Sequence, residues 1–588
     1  MGGPTMTGAE FIANCLKQEG VSKVFGQCGH TNYALMDALP KLGMDFVSFR
    51  HEQLATHAAD AYFRVSHKLA VVLVHLSPGL TNTLTGVATA AADCTPMVVI
   101  SGNTPSYNHA REGHQCIRFH ADASQGDIFR PICKRVWRVD DPNLLPDVLP
   151  RALNLAQTGR PGAVLIDVPM DVFSRPVRGE VPVMRSRRPG QYRNPGAEAE
   201  LAETVELLLH AEKPVVFAGN GVHLSEAWEE LREVAEYLGI PVATTLMGKG
   251  AIPENHPLSV GITGIWGTRL ANETTRDADV ILAIGTGFVE SDCSSWHPSY
   301  TFAIPPARLI QIDVDPQEIG KTYPVSVGIV GDAKASLGRL LEQFRARSGR
   351  RNWGESRRFA EFQKRRQTWL GELAASQRDA GRPIHPARLL YELNQTLPEH
   401  AIVVTDVGWN KNGAGQQLLT RRPLSFITSG GMATMGFAPA AAIGAKIACP
   451  DRPVVALVGD GGLMSACGAL ATAVELDAPV LWVLFNNYCY STIRTMGYAY
   501  FKNTYGTEFT RPDGTPYNPD FQLLAKAHGM EGRLVEDPDQ LSSTLKECLS
   551  LNAPCLLEVR TRGDLPMPRT GYWDIADFLT DEPSAKGE

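Results

Sequence analysis

Val454–Asn487 reads VVALVGDGGLMSACGALATAVELDAPVLWVLFNN. A β-branched apolar run, Val454 to Val458, stops at Gly459-Asp460-Gly461-Gly462. Leu463, Ala466, Leu470 and Val474 then recur at helical spacing, and a second apolar run, Val480 to Phe485, ends at Asn486-Asn487. Strand, glycine turn, helix and strand make a βαβ unit with parallel strands. Both carboxyl ends therefore reach one sheet edge, where ligands of open α/β sheets sit. Glycines 459, 461 and 462 let backbone approach a phosphate, and a helix start offers unpaired N–H groups to an anion. Asp460 and Asn487 each end a strand with a hard oxygen, which suits Mg²⁺ bridging a diphosphate. A lone Asp-Gly turn reads as an ordinary loop. The full order of glycine turn, helix and terminal Asn-Asn is far more specific.

Working outward, 588 residues exceed one hydrophobic core and set an expectation of about three or four domains. The net charge of −7 is mild and points to neither nucleic acid nor an anionic membrane surface as partner. No apolar run reaches transmembrane length, and MGGPTMTGAE lacks the charged-then-apolar order of a secretory leader. Eleven cysteines are scattered without a CxxC pair. Cys94, Cys133 and Cys467 stand in apolar surroundings and read as buried free thiols of a cytoplasmic protein.

The pattern predicts an α/β chain of three doubly wound parallel-sheet domains. Residues 1–175 alternate helical periods with strands at Val24-Phe25, Leu69–Val74, Met97–Ile100 and Ala163–Val168. The Pro-, Arg- and Gly-rich stretch 175–196 reads as a linker. A second unit, 198–345, carries strands at Val215–Ala218, Val242-Ala243, Val280–Ile284 and Leu309–Val314, with a glycine turn at Gly219-Asn220-Gly221. A charged helix, Glu355–Arg378, leads to a third unit, 385–560, which holds the opening motif and a closing strand, Cys555–Val559. Residues 561–588 read as an irregular, solvated tail.

Across nearly its whole length the chain resembles thiamine-diphosphate-dependent enzymes of the acetohydroxyacid (acetolactate) synthase, pyruvate oxidase and benzoylformate decarboxylase superfamily. The resemblance rests on the opening motif and on RHEQLATHAADAYFR (50–64), GRPGAVLIDVP (159–169), TTLMGKGAIPENHPL (244–258), IQIDVDPQEIGK (310–321) and TSGGMATMGFAPAAAIGA (428–445). It implies pyrimidine-binding, central and diphosphate-binding domains in that order, with a homodimer as the smallest active unit and a homotetramer as the assembly. Glu52 matches the carboxyl that hydrogen-bonds the aminopyrimidine N1′, and the imino tautomer so favoured takes the proton from the thiazolium C2. Met435 matches the apolar wedge that bends the coenzyme, and Ala433 offers its carbonyl to the 4′-amino group. The same match gives Asp460, Asn487 and the Cys489 carbonyl to Mg²⁺. It sets Gly408, Gly461 and Gly462 against the diphosphate and adds Asn82 and Tyr490 to the coenzyme contacts.

The resemblance also implies substrate-facing residues: His30, His75, Gln115, Tyr490 and Ile493. Two histidines converging on one pocket suit proton transfer near neutral pH, alongside Glu52 and Gln115. Arg494 is a candidate for an anionic substrate group. The expected chemistry is ylid attack on a 2-oxo acid or 1,2-dicarbonyl carbonyl, then protonation of the enamine or its ligation to a second carbonyl. Departures from acetohydroxyacid synthase leave FAD open. Its GxRFDDR motif appears as Gly285-Thr286-Gly287-Phe288-Val289-Glu290-Ser291 without either arginine, and its HGT as Trp266-Gly267-Thr268. The loop after Asn487, YCYSTIRTMG, also lacks that family's tryptophan. A flavin-linked oxidase and a nucleotide-binding α/β protein without catalysis are the alternatives.

Overall fold

The computed structural model describes residues 6–108, 111, 113–117, 124–182 and 193–575. Among these, three six-stranded parallel sheets organise the chain. The first comprises β1 (Lys23–Gly26), β2 (Asp45–Ser48), β3 (Ala70–Val74), β4 (Met97–Asn103), β5 (Arg135–Arg138) and β6 (Ala163–Pro169), in spatial order β2-β1-β3-β4-β6-β5. The second holds β7 (Pro214–Ala218), β8 (Val242–Thr244), β9 (Ser259–Ile262), β10 (Val280–Ile284), β11 (Arg308–Asp313) and β12 (Val327–Val330), ordered β12-β11-β10-β7-β8-β9. The third holds β13 (Ile402–Thr405), β14 (Phe426–Thr428), β15 (Val454–Gly459), β16 (Val480–Asn486), β17 (Glu531–Val535) and β18 (Cys555–Arg560), ordered β14-β13-β15-β16-β18-β17.

The first and third sheets share one strand order. In both, the direction of winding reverses between the first and third strands, so a ligand crevice is expected outside the carboxyl ends of β1/β3 and of β13/β15. Inner strands are apolar throughout because helices cover both faces: β3 (AVVLV) and β10 (VILAI) are buried at every position. Edge strands are mixed, as in β17 (EGRLV), where only Val535 is buried.

The chain forms two compact units. One contains the first sheet together with residues 429–454 and 464–480, and the other contains the second and third sheets. In the first unit, the helix Glu52–Ser66 lies against the helix Phe437–Ala448. A Cβ on Gly444 would overlap the Ala58 carbonyl, so these helices meet backbone to backbone.

Some expectations need correction. The single helix after Asp460 is two, Asp460–Ser465 and Gly468–Glu475. At the break, Ala469 and Leu470 donate to the carbonyls three residues back, 3.0 Å each, and Gly468 is a weak helix former. Cys133 is buried, but Cys94 and Cys467 are only half-buried. The linker expectation falls partly on residues 183–192, outside the described residues, as are tail residues 576–588. The described part of the tail is irregular but not merely solvated. Trp573 meets Trp266 edge to face with centroids 5.5 Å apart, and the Thr570 and Gly571 amides both donate to the Ile265 carbonyl.

Candidate active site

In the first unit, the residues after β1 and β3 converge on Glu52. This carboxylate opens its helix and is 6 % exposed. Asn82 Nδ2 donates to it at 2.9 Å. Gln27, one residue past β1, donates to both oxygens, at 2.7 and 3.1 Å, with its amide nitrogen turned toward them. Gly79 stands between this carboxylate and His75: a Cβ there would lie 3.1 Å from Glu52 Oε1 and 3.2 Å from His75 Cβ.

His75, one residue past β3, is held at both ring nitrogens. Thr31 Oγ1 lies 2.9 Å from Nδ1, and Gln115 Oε1 lies 2.9 Å from Nε2. Thr31 Oγ1 also accepts from the Leu76 amide at 3.2 Å, which ties the ring's partner to the chain just past β3. The His30 ring sits 4.6 Å from that of His75 and 6.4 Å from that of His114. Burial, then repulsion from His75 and His114, holds the His30 pKa below its usual value. His30 is thus a neutral imidazole near neutral pH, able to accept a proton.

The loop carrying Ala433 and Met435 belongs to the same unit. Asp93 accepts from the Gly430 and Gly431 amides at 2.9 and 2.7 Å and pairs with Arg64 at 2.8 Å. Arg64 also binds Asp60 at 2.7 Å. Ala433 adopts φ +48°, a left-handed conformation rarely taken by a residue with a side chain.

In the second unit, β13, β15 and β16 present Gly408, Asp460 and Asn487 at their carboxyl ends. Gly408 has φ +98°, and the only atom near a Cβ there would be Thr492 Oγ1 at 3.5 Å. A Cβ on Gly462 would overlap the Asp406 carboxylate, so only glycine allows that close approach. Asp460 is buried and accepts four hydrogen bonds, from Gly461 N (2.9 Å), Asn487 N (3.2 Å), Tyr488 N (2.7 Å) and Asn518 Nδ2 (2.9 Å). Burial pushes its pKa up and these donors pull it back. Asn487 Oδ1 faces the Cys489 amide at 3.2 Å. No three His, Cys, Asp or Glu side chains form a metal cage among the described residues. A cation here would rest on two side-chain oxygens and a carbonyl, completed by ligand oxygens, as Mg²⁺ prefers.

Family models match in three places. They are the thiamine pyrophosphate enzyme N-terminal TPP binding domain (residues 6–123), central domain (201–340) and C-terminal TPP binding domain (406–559). The chain belongs to the thiamine pyrophosphate enzyme family. A probable acetolactate synthase large subunit of Methanocaldococcus jannaschii is 37 % identical over 94 % of this chain and 92 % of its own length. That of Methanococcus aeolicus is 34 % identical over 99 % and 97 %, and the isozyme 3 large subunit of Escherichia coli is 32 % identical over 92 % of each.

The residues fit thiamine diphosphate. A buried carboxylate with two amide partners suits a ring nitrogen, and open backbone beside Gly408 suits a phosphate. Tyr490 and Ile493, in the second unit at the start of the helix Ser491–Phe501, are 41 % and 52 % exposed. Arg494 is paired with Glu508 at 2.6 Å, so its charge is already met within the protein. Where the two arginines of GxRFDDR are missing, Phe288 packs on Phe217, Phe302 and Tyr323, and a Cβ on Gly287 would lie 2.9 Å from Glu318 Oε2. Sequence reading of this thiamine pyrophosphate enzyme missed Gln27, Thr31, His114 and Asn518. Gln27 and Thr31 lie within three residues of His30, in GQCGHTN (26–32), and that proximity was the available signal.

Proposed function

We propose that this enzyme is a thiamine-diphosphate-dependent lyase or carboligase acting on a 2-oxo acid or a 1,2-dicarbonyl compound. When bound, the coenzyme supplies a carbon nucleophile and an electron sink for cleaving the bond beside a carbonyl. The protein supplies the proton chemistry. Glu52, fixed by Gln27 and Asn82, receives or shares a proton at the coenzyme's pyrimidine edge. Neutral His30 accepts a proton, and His75, held in place by Thr31 and Gln115, stands beside it to serve the substrate oxygen. Gln115 fixes His75 and contributes an amide to the pocket. Asp460, Asn487 and the Cys489 carbonyl hold Mg²⁺, with Gly408, Gly461 and Gly462 against the diphosphate and Ala433, Met435 and Tyr490 along the coenzyme. The working unit is a homodimer within a homotetramer. The relatives are named acetolactate synthases, which favours carboligation over a flavin-linked oxidase.

One observation carries this reading: Gly79 lies against both the Glu52 carboxylate and His75, which brings the group proposed for activation beside the one proposed for substrate handling. The test supplies thiamine diphosphate and Mg²⁺ and offers pyruvate, other 2-oxo acids and 1,2-diketones, with products read by mass. Coenzyme-dependent C–C cleavage or ligation is expected, lost by about 10²–10⁴-fold in Glu52→Gln. Full turnover in Glu52→Gln would overturn it.

A further inference from the structure

The metal-holding role of Asp460 in the proposed function leaves open which carboxylate oxygen faces the ion and what turns it there. Three of the four donors on Asp460 crowd one oxygen: Asn487 N, Tyr488 N and Asn518 Nδ2 all reach Oδ2. Among the described residues, Oδ1 takes only the amide of the adjacent Gly461. A carboxylate offers about four lone-pair sites over its two oxygens, so Oδ2 is saturated and Oδ1 keeps room.

Of those donors, two are backbone amides fixed by the turn after β16. Asn518 is the side chain among them, and it arrives from a segment nearly sixty residues downstream of Asp460, just before the helix Phe521–Ala527. Its Nδ2 also donates to Asn486 Oδ1 at 2.8 Å, and Asn486 Nδ2 donates to Glu558 Oε1 at 2.6 Å. Glu558 is 1 % exposed and pairs with Arg560 at 3.2 Å, while Arg560 lies over the Tyr488 ring, 5.0 Å from its centroid. The Tyr488 amide returns to Asp460 at 2.7 Å. The circuit thus closes on itself through the ends of β15, β16 and β18, and buried networks satisfied in this way are stiff.

We propose that Asn518 is a positioning residue for the metal: it locks Asp460 Oδ2 inside the protein and thereby presents Oδ1 to the cation. The inference rests on the reading of Asp460 as a metal ligand. Without Asn518 the carboxylate can turn about its last torsion, and Oδ2 competes for the site. Partners of this kind typically govern metal affinity by about 10–100-fold.

The test uses Mn²⁺ as the probe, with free Mn²⁺ measured by electron paramagnetic resonance in the presence of saturating thiamine diphosphate. Asn518→Ala is expected to weaken Mn²⁺ binding by about 10–100-fold while turnover recovers at saturating metal. Thermal unfolding compared with the parent separates this from a folding defect. Should the alanine variant not fold, Asn518→Ser, whose hydroxyl is too short to reach Asp460, carries the same readout. Unchanged Mn²⁺ affinity in a folded variant overturns the role of Asn518, as does a turnover loss that added metal does not repair. Absence of Mn²⁺ binding by the parent protein would instead overturn the metal site itself.

Discussion

At the scale of single residues, the pocket depends on a buried carboxyl behind it. Asp167, on β6, is 1 % exposed; Ser101 and Gln125 donate to its Oδ1 at 2.9 and 2.7 Å, and Asn103 to its Oδ2 at 2.7 Å. Gln125 Oε1 in turn takes the Ser77 amide and hydroxyl, and Ser77 Oγ accepts from Ile117 N, two residues beyond Gln115. Asp167 therefore braces the segment that reaches His75. Burial pushes its pKa up to about 6, well above the usual carboxylate range. Because the folded pKa is the higher one, the stability this group contributes is complete below about pH 4 and is lost as pH rises through about 6. In Asp167→Asn that contribution is absent. The unfolding free energy of the parent minus that of the variant should therefore grow by about 1.5 kcal/mol between about pH 7.5 and about pH 5. Denaturant melts at the two pH values measure it, and a difference that does not change with pH would show the carboxyl ionised throughout. Glu52, His30 and His75 could be proposed from the sequence because each stands in a short stretch that carries the family resemblance. Asn518 and Gln125 could not, since their work is defined by partners on other strands, which no local pattern encodes.

Among elements, legibility followed position in the sheet. Four inner strands of the first sheet and four of the second were readable as apolar runs, whereas all six edge strands (β2, β5, β9, β12, β14 and β17) were not. Several edge strands are half wet, so neither a continuous apolar run nor a clean alternation marks them: β5, RVWR, has no fully buried position, whereas β14, FIT, is buried throughout and escaped nonetheless. Inner β13, IVVT, also escaped, although it is buried at every position. The helix Glu52–Ser66 was legible as a motif, but its close packing was not. Arg64 spans Asp60 and Asp93 and lies over the Phe437 ring at 5.5 Å, while His57 meets that ring edge to face at 5.2 Å. These contacts require Gly444 to lie against the Ala58 carbonyl. Gly444→Ala inserts a methyl where no space exists and should cost about 1–3 kcal/mol, since packed interiors yield little to added volume. The same separation of helices would shift the Gly430-Gly431 anchor on Asp93, so apparent affinity for thiamine diphosphate should fall with stability. Urea unfolding and a coenzyme titration check both halves, and an alanine variant of parental stability would show that the helices part more freely than the geometry implies.

For the molecule as a whole, the three-domain order was legible because each domain repeats the same alternation of apolar strands and helical periods, but the use made of the last stretch was not. Residues 561–574 form no helix and no named strand of their own, and so carry no periodicity to read. Within the second unit they nonetheless tie the third sheet to the second. Trp409, next to Gly408, donates its indole N–H to the Leu565 carbonyl at 3.3 Å. Farther along, Thr570 Oγ1 donates to Gly267 O at 2.8 Å and accepts from Asn272 Nδ2 at 2.9 Å. The Asp574 amide donates to Ser295 Oγ at 3.1 Å, and Tyr572 stacks on Tyr300 with centroids 5.2 Å apart. Ser294, Ser295 and Trp296 all hold φ near +50°, a backbone arrangement that persists only where surroundings enforce it, and Gly571 lies directly against Ser294. Hydrogen bonds of this kind contribute about 1 kcal/mol each. Ending the chain after Asp564 should therefore lower the stability of the second unit by several kcal/mol, expose Trp266 to solvent and free the turn at Ser294–Trp296. The tryptophan emission should shift to the red, and protease cleavage near Trp296 should quicken. The product that carries Glu52 should therefore be an N-terminal fragment ending near Trp296. Equal cleavage rates in the shortened and full-length chains would mean that the strap follows the fold and does not hold it.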